Sequence, residues 1–388
     1  MRGRYRLAAY LTGATIARTG DELSGPALLL LGIAVDGSAA TGSALLAGLT
    51  ISAAAGGPLL GALLDRSPRP GRLLAWALLA YAGGLGAVLA LVEIPAAIAV
   101  AVAAGLLNPA LAGGWTAQLP NVRGTTPLAR ASTLDAMTFT AASLAGPGLA
   151  GLVAAYAGAP AAVALAITLV VAAFPAAWSL PAAEAKPTRP IRRQLADGFA
   201  VLFRNRALLR ATATSTVSFV GIGVAIVCYP LLGAQRLGNP GFGALLLTVL
   251  AAASLVANAA LARKPPPPDR TVLASTLLLG TSFVLAAYGH DMATLSAAAV
   301  LAGFAEGPQL SALFAIRHRE APAAVRAQVF TTAASVKITG LAAGAALAGP
   351  LSALSVTVAL SAAAGCQILA AATYVLVRAR RPSPARAA

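Results

Sequence analysis

Apolar residues run along this chain in long stretches, broken by short polar segments rich in arginine, proline and glycine. A helix needs roughly 20 apolar residues to cross a hydrocarbon core. By that measure twelve stretches qualify: 7–34, 40–64, 72–92, 95–118, 128–156, 159–181, 207–234, 241–262, 271–288, 292–316, 323–349 and 353–377. Short turns, among them 35–39, 93–94 and 289–291, join them. The pattern predicts an all-α polytopic membrane protein of twelve transmembrane helices. The stretches are so uniformly apolar that periodicity does not fix which face of each looks inward. After the sixth, the polar segment 182–206 is the longest in the chain. Within it Leu195, Phe199, Leu202 and Phe203 recur at helical spacing, which suggests an amphipathic helix on the inner membrane surface, with a plain connector as the alternative.

Composition agrees with lipid as the solvent. Hydrophobic residues make up 58% and charged residues 10%, against roughly 45–50% and 25% in a soluble domain. Small residues dominate the apolar set, as suits helices that must approach closely where lipid supplies no hydrophobic drive. The formal charge of +16 does not indicate nucleic acid, because the basic residues fall in short loops and tails without interleaved aromatics. It orients the chain instead. With the N-terminus in the cytoplasm, Arg2, Arg4, Arg6, Arg66, Arg69, Arg72, Arg123 and Arg130 fall inside. So do the linker from Lys186 to Arg210, the group Arg263, Lys264 and Arg270, and the group Arg317, Arg319 and Arg326. The tail with Arg378, Arg380, Arg381 and Arg386 follows, and only Arg236 lands outside. This asymmetry predicts a multi-pass protein of the cytoplasmic membrane with both termini cytoplasmic. The basic start leads into a stretch too long for a signal peptide and is read as a retained first helix. Cys228 and Cys366 lie in apolar stretches without CxxC spacing, and His290 and His318 fall in predicted loops on opposite sides. Neither a disulfide framework nor a metal or catalytic centre is expected.

The chain repeats itself. The charged loop Gly61–Arg72 has a counterpart, Arg263–Arg270, that aligns at an offset of 198 positions. At the same offset Asn108-Pro109 stands against Glu306-Gly307-Pro308, and slightly further on Pro127…Arg130-Ala131 answers Pro322…Arg326-Ala327. Six helices, a linker and six related helices form a plan of two parallel halves with a site between them at mid-membrane. The expected units are 1–181, 182–206 and 207–388.

The loop Gly61-x-Leu63-x-Asp65-Arg66-x-x-Arg69 resembles the signature loop of the major facilitator superfamily (MFS), with Pro68 where the family usually has glycine. The resemblance implies the MFS fold, two six-helix bundles related by a pseudo-two-fold axis. It also implies that Asp65 faces the positive end of a helix from the second half, latching the inner ends together in the outward-facing state. In the fifth stretch, Gly146, Pro147 and Gly151 look like the antiporter motif of the drug-exporting branches, with Ala142 and Ala150 where glycines are usual. That likeness implies a drug or metabolite exporter.

An ionised side chain at mid-bilayer costs about 2.5–3.5 kcal/mol on insertion scales, so charges inside the spans are either paired or used. Arg18, Asp21 and Glu22 share the first stretch, and at i,i+3 and i,i+4 both acids can reach the arginine. Asp21 is the foremost candidate for proton exchange, with Arg18 tuning it and Glu22 beside it; the alternatives are an intrahelix ion pair that only stabilises the bundle and, for Glu22, simple solvation near the outer surface. Asp135 is placed at the inner gate, with Arg66 or Arg130 as partner, and a proton site is the alternative. Glu306 and Lys337 are candidate partners across the second half, as a structural pair or a coupling site. Asn108, the counterpart of Glu306, is a further cavity candidate. Trp115, Phe139, Tyr229 and Phe304 are candidates for lining a cavity, with core or lipid-facing positions as the alternative.

No phosphate-binding Walker loop is present, so ATP does not drive the protein directly, and no nucleophile–base pair marks an enzyme. No cofactor or metal is expected. The reading that results is a secondary active transporter of small, fairly apolar molecules working by alternating access as a proton-coupled exporter. The alternatives are a proton-coupled uptake symporter and a non-transporting membrane sensor. The expected partners are a small-molecule substrate, protons and lipid, with the protein a monomer.

Overall fold

The computed structural model describes residues 2–36, 39–91, 94–182, 190–238 and 240–377, and all regular elements among them are helices. The linker charges Lys186 and Arg189, and the tail residues Arg378, Arg380, Arg381 and Arg386, lie outside the described residues.

The first half comprises α1 (Arg2–Asp36), α2 (Thr41–Arg66), α3 (Pro70–Ala90), α4 (Ile94–Val122), α5 (Leu128–Ala157) and α6 (Ala159–Trp178). A short helix, α7 (Ile191–Arg204), follows. The second half comprises α8 (Arg206–Arg236), α9 (Pro240–Leu261), α10 (Pro268–Tyr288), α11 (Met292–Glu320), α12 (Arg326–Leu354) and α13 (Val356–Leu376). Ten of these helices are long and apolar enough to cross a membrane, and Leu245–Leu261 within α9 is a shorter apolar helix. Together with the 35-residue α1 they make the twelve crossings that the hydrophobic pattern predicts.

Local chemistry places the ends. The Asn205 side chain accepts from the backbone N–H groups of Ala207 and Leu208 and so caps α8. Asp291 caps α11 and Ser355 caps α13 in the same way. Gly158, at φ 88°, makes the abrupt turn from α5 to α6 in a backbone region closed to most other residues. Within α4 the ladder is broken after Gly105, and a π-helical turn follows over Ala110–Gly114. Pro109 supplies no N–H there, and the slip lets Asn108 project from the break.

The fold departs from the hydrophobic pattern in one respect that matters. The pattern ends the tenth stretch at residue 316 and puts Arg317 and His318 in a loop. Instead α11 continues to Glu320 and both side chains are buried. The helix stays regular because its basic last turn suits the negative end of its dipole. Arg236, the lone arginine at the far end, donates to the carbonyls of Ala286 and Ala287, the latter at 2.8 Å, and to Gly289. It closes the C-terminus of α10, which accounts for its exception to the charge asymmetry.

The amphipathic helix expected in the linker is present as α7. Leu202 is buried, and Phe199 and Phe203 are exposed and stacked on each other. Gln328 at the start of α12 donates to the Leu195 carbonyl at 3.0 Å, and Gln194 donates to that of Ala324 at 2.9 Å. The helix thus braces the same end of the bundle as the Gly61–Arg72 loop.

Candidate functional site

The halves meet at the end that carries the charged loops. Asp65 accepts the backbone N–H of Ala327 at 2.9 Å and of Gln328 at 2.8 Å, both in the first turn of α12. A carboxylate there satisfies two unpaired N–H groups and opposes the positive helix end. Gly61 makes the approach possible, because a Cβ at this position would overlap Thr331 and Gln328. Thr331 donates to the Gly57 carbonyl at 2.6 Å, and Ser335 donates to that of Ala53 at 2.5 Å. Across the other seam Thr140 of α5 meets Ser254 of α9 at 3.4 Å. Arg66 is half-buried, and Arg69 and Arg130 are exposed. No ion pair or side-chain hydrogen bond engages these arginines among the described residues.

Asp135 is not at this gate. It is fully buried in α5, and its partner is Arg18 of α1, whose Nη1 lies 2.8 Å from the Asp135 carboxylate. Tyr10 donates to that carboxylate at 2.8 Å, and so does Thr116. Arg18 also donates to Thr138 and, at 2.9 Å, to Thr116, and its guanidinium lies 3.6 Å from the centre of the Phe139 ring. Two expectations are corrected together. Arg66, half-buried, and Arg130, exposed, do not pair with Asp135. Arg18 makes its hydrogen bonds across the bundle rather than to its helix neighbours, and it acts on Asp21 only through space.

Those neighbours, Asp21 and Glu22, look into a cavity of about 460 Å³ between the halves. Asp21 accepts from Asn108 at 2.7 Å and from Tyr81 at 2.9 Å, and Ser24 lies 2.7 Å from the Tyr81 hydroxyl. Glu22 accepts from Ser143 at 3.2 Å. From the second half Glu306 and Lys337 reach the same cavity, and the Lys337 ammonium interacts electrostatically with both Glu22 and Glu306. It also lies 4.6 Å from the centre of the Phe219 ring. Glu306 and Lys337 interact through space across the cavity, and neither has a side-chain hydrogen bond among the described residues. The remaining wall is apolar, with Phe139, Phe219, Phe283, Phe314, Phe330 and Leu341 prominent.

Of the aromatic candidates, Phe139 and Tyr229 line the cavity. Trp115 is core, edge-on to Tyr10, and Phe304 is exposed on the bundle's outer surface. In the fifth-helix motif, a Cβ on Gly146 would come within 2.7 Å of the Glu22 Cβ, so this glycine sets the approach of α1 to α5. Pro147 lines the cavity. Gly151 faces open space, and a Cβ there would meet nothing within 4 Å. Sequence reasoning missed Tyr10, Ser24, Tyr81 and Arg317. Uniformly apolar surroundings carry no periodic signal for the first three, and Arg317 was hidden by its charged neighbours.

A twelve-crossing helical bundle with a charged central cavity between its halves is the architecture of a membrane transporter rather than of an enzyme. A family model for the Major Facilitator Superfamily matches residues 10–336, and the chain belongs to that superfamily. Its fold is similar to the crystal structure of the human organic anion transporter MFSD10 (TETRAN), with a TM-score of 0.73 at 18% identity. The match covers 96% of this chain and 100% of that one. No curated protein sequence matches the chain.

Proposed function

We propose that the protein is a proton-coupled secondary transporter that exports small, fairly apolar molecules across the cytoplasmic membrane by antiport. The observation that carries this reading is the shared cavity, in which Asp21 and Glu22 of one half and Glu306 and Lys337 of the other line a mainly apolar space. Units 1–181 and 207–388 rock about it, tied by 182–206, and a single chain suffices. With both termini cytoplasmic, the Asp65 latch lies on the inner side and the cavity opens outward.

In that state Asp21 takes a proton from the outside. Protonation weakens its attraction for the donors Tyr81 and Asn108, and α1 is freed to shift against α4. Glu306, paired through space with Lys337, is the second exchange site. Each elementary charge moved down 100 mV supplies about 2.3 kcal/mol, enough for roughly a fiftyfold solute gradient. The break in α4 at Asn108-Pro109 gives the helix a place to bend.

Proteoliposomes with a trapped pH dye test the proposal. Solute-evoked proton flux is expected from the wild type, and Asp21→Asn should abolish it while the protein remains inserted. Full coupling in that variant moves the exchange site to Glu306. Proton movement in the same direction as the solute replaces antiport by uptake symport, and no flux with any solute favours a sensor.

A further inference from the structure

Arg317 is the one cavity residue whose charge the fold leaves unanswered among those described. It is 2% exposed and lines the cavity, as do Phe314 and Phe330. A guanidinium offers five N–H donors and keeps its charge under all ordinary conditions. Here one donor is used, from Nη2 to the Ser215 hydroxyl at 3.2 Å. The Nε is enclosed without an acceptor. No carboxylate pairs with Arg317 among the described residues. The cavity acids are committed elsewhere, Asp21 to Tyr81 and Asn108, and Glu22 and Glu306 to the field of Lys337. The nearby titratable groups make matters worse. His318 brings no negative charge, Arg326 is cationic, and Lys337 is itself repelled by Arg317. A buried, permanently charged fork without a counter-ion, in the wall of a cavity lined with aromatic rings, has the chemistry of an anion receptor.

We propose that Arg317 anchors the anionic group of an amphipathic organic acid, a carboxylate or sulfonate, whose apolar body lies against Phe219, Phe314 and Phe330. This deepens the transport reading, because the ligand is then the cargo. The anion supplies the missing counter-charge to Arg317, and the aromatic walls give affinity without further polar contacts. A free inorganic anion would satisfy the same guanidinium, and the test separates the two.

The probes are labelled 1-naphthoate and its uncharged analogue 1-naphthamide, measured by scintillation proximity on the full chain in nanodiscs without any gradient. Wild type is expected to hold naphthoate at least tenfold more tightly than naphthamide. Arg317→Gln should remove that preference by weakening naphthoate alone, with naphthamide binding reporting that the cavity is intact. If Arg317→Gln does not fold, Arg317→Lys carries the test, since loss of the planar fork should lower the preference severalfold. Equal binding of the two probes by wild type overturns the proposal, as does a preference that survives whichever of these substitutions folds. Displacement of naphthoate by low-millimolar chloride or inorganic phosphate would assign the site to an inorganic ion and overturn the organic-acid reading; persistence of binding supports it. Because no proton gradient is involved, failure here leaves the Asp21 flux measurement standing, and failure there leaves this one standing.

Discussion

Two arginines of this protein, Arg18 and Arg317, are each 2% exposed and each touch the central cavity, yet their surroundings are opposites. Arg18 in the first half has a carboxylate at 2.8 Å, two threonine hydroxyls and an aromatic face. Arg317 in the second half has one serine hydroxyl. Burial alone therefore says nothing about what a charge is for. Arg18 and Asp135 neutralise each other inside one bundle, where neither can exchange an ion without breaking α1 from α5. Arg317 is held beside open volume with one donor on Ser215 and its Nε without an acceptor. The first arrangement is one that stability can explain, and the second is one that stability opposes.

The largest expected effect tests the sealed pair. Breaking a buried ion pair by removing one partner leaves an uncompensated charge and costs about 3–5 kcal/mol. Arg18→Gln and Asp135→Asn should each lower the thermal unfolding temperature of purified protein sharply. The double substitution Arg18→Met with Asp135→Leu should recover most of the loss, because well-packed apolar groups replace such pairs at little or no cost. Single variants that unfold like the wild type would remove the contrast between the two arginines at its root.

How far the residues announced this arrangement depends on the kind of order involved. Helix number and order follow from long apolar runs, since lipid imposes one dominant requirement on every span. The latch was legible because a helix N-terminus needs an acceptor and Asp65 sits in a motif that supplies one. The cavity set of Asp21, Glu22, Glu306 and Lys337 was legible as charge in an apolar context. Who pairs with whom was not. Arg18 reaches Asp135 across 117 positions of sequence, and the i,i+3 and i,i+4 neighbours that spacing favours were passed over for a partner fixed by helix packing. Arg317 was misplaced for a related reason. Its neighbours His318, Arg319 and Glu320 look like a loop, but only Arg319 among the three carries an exposed side chain.

A middle-sized effect is expected where the halves touch. Asp65 binds two backbone N–H groups of α12, whereas the Arg18–Asp135 pair stays within one half. Asp65→Asn keeps an acceptor but loses the charge that opposes the helix end, an effect of about 1–2 kcal/mol on the latched state. That corresponds to roughly a tenfold change in its population. Turnover in proteoliposomes should slow while solute affinity measured at equilibrium stays close to wild type. A pure loss of affinity would show that this interaction serves the cavity and not the movement, and would set it beside Arg317 instead of apart from it.

The smallest effect is the most informative about Arg317. If its charge has no partner within the fold, removing that charge relieves a burden on the native state. Arg317→Gln should unfold within about 1 kcal/mol of wild type, and on the stable side if the glutamine amide keeps the Ser215 contact. The comparison with Arg18→Gln is direct, since the same substitution is made at equal burial. A drop as deep as that at Arg18 would mean that the fold itself relies on the Arg317 charge. The two arginines would then be of one kind, and the uncompensated charge beside the cavity would lose its meaning as a receptor.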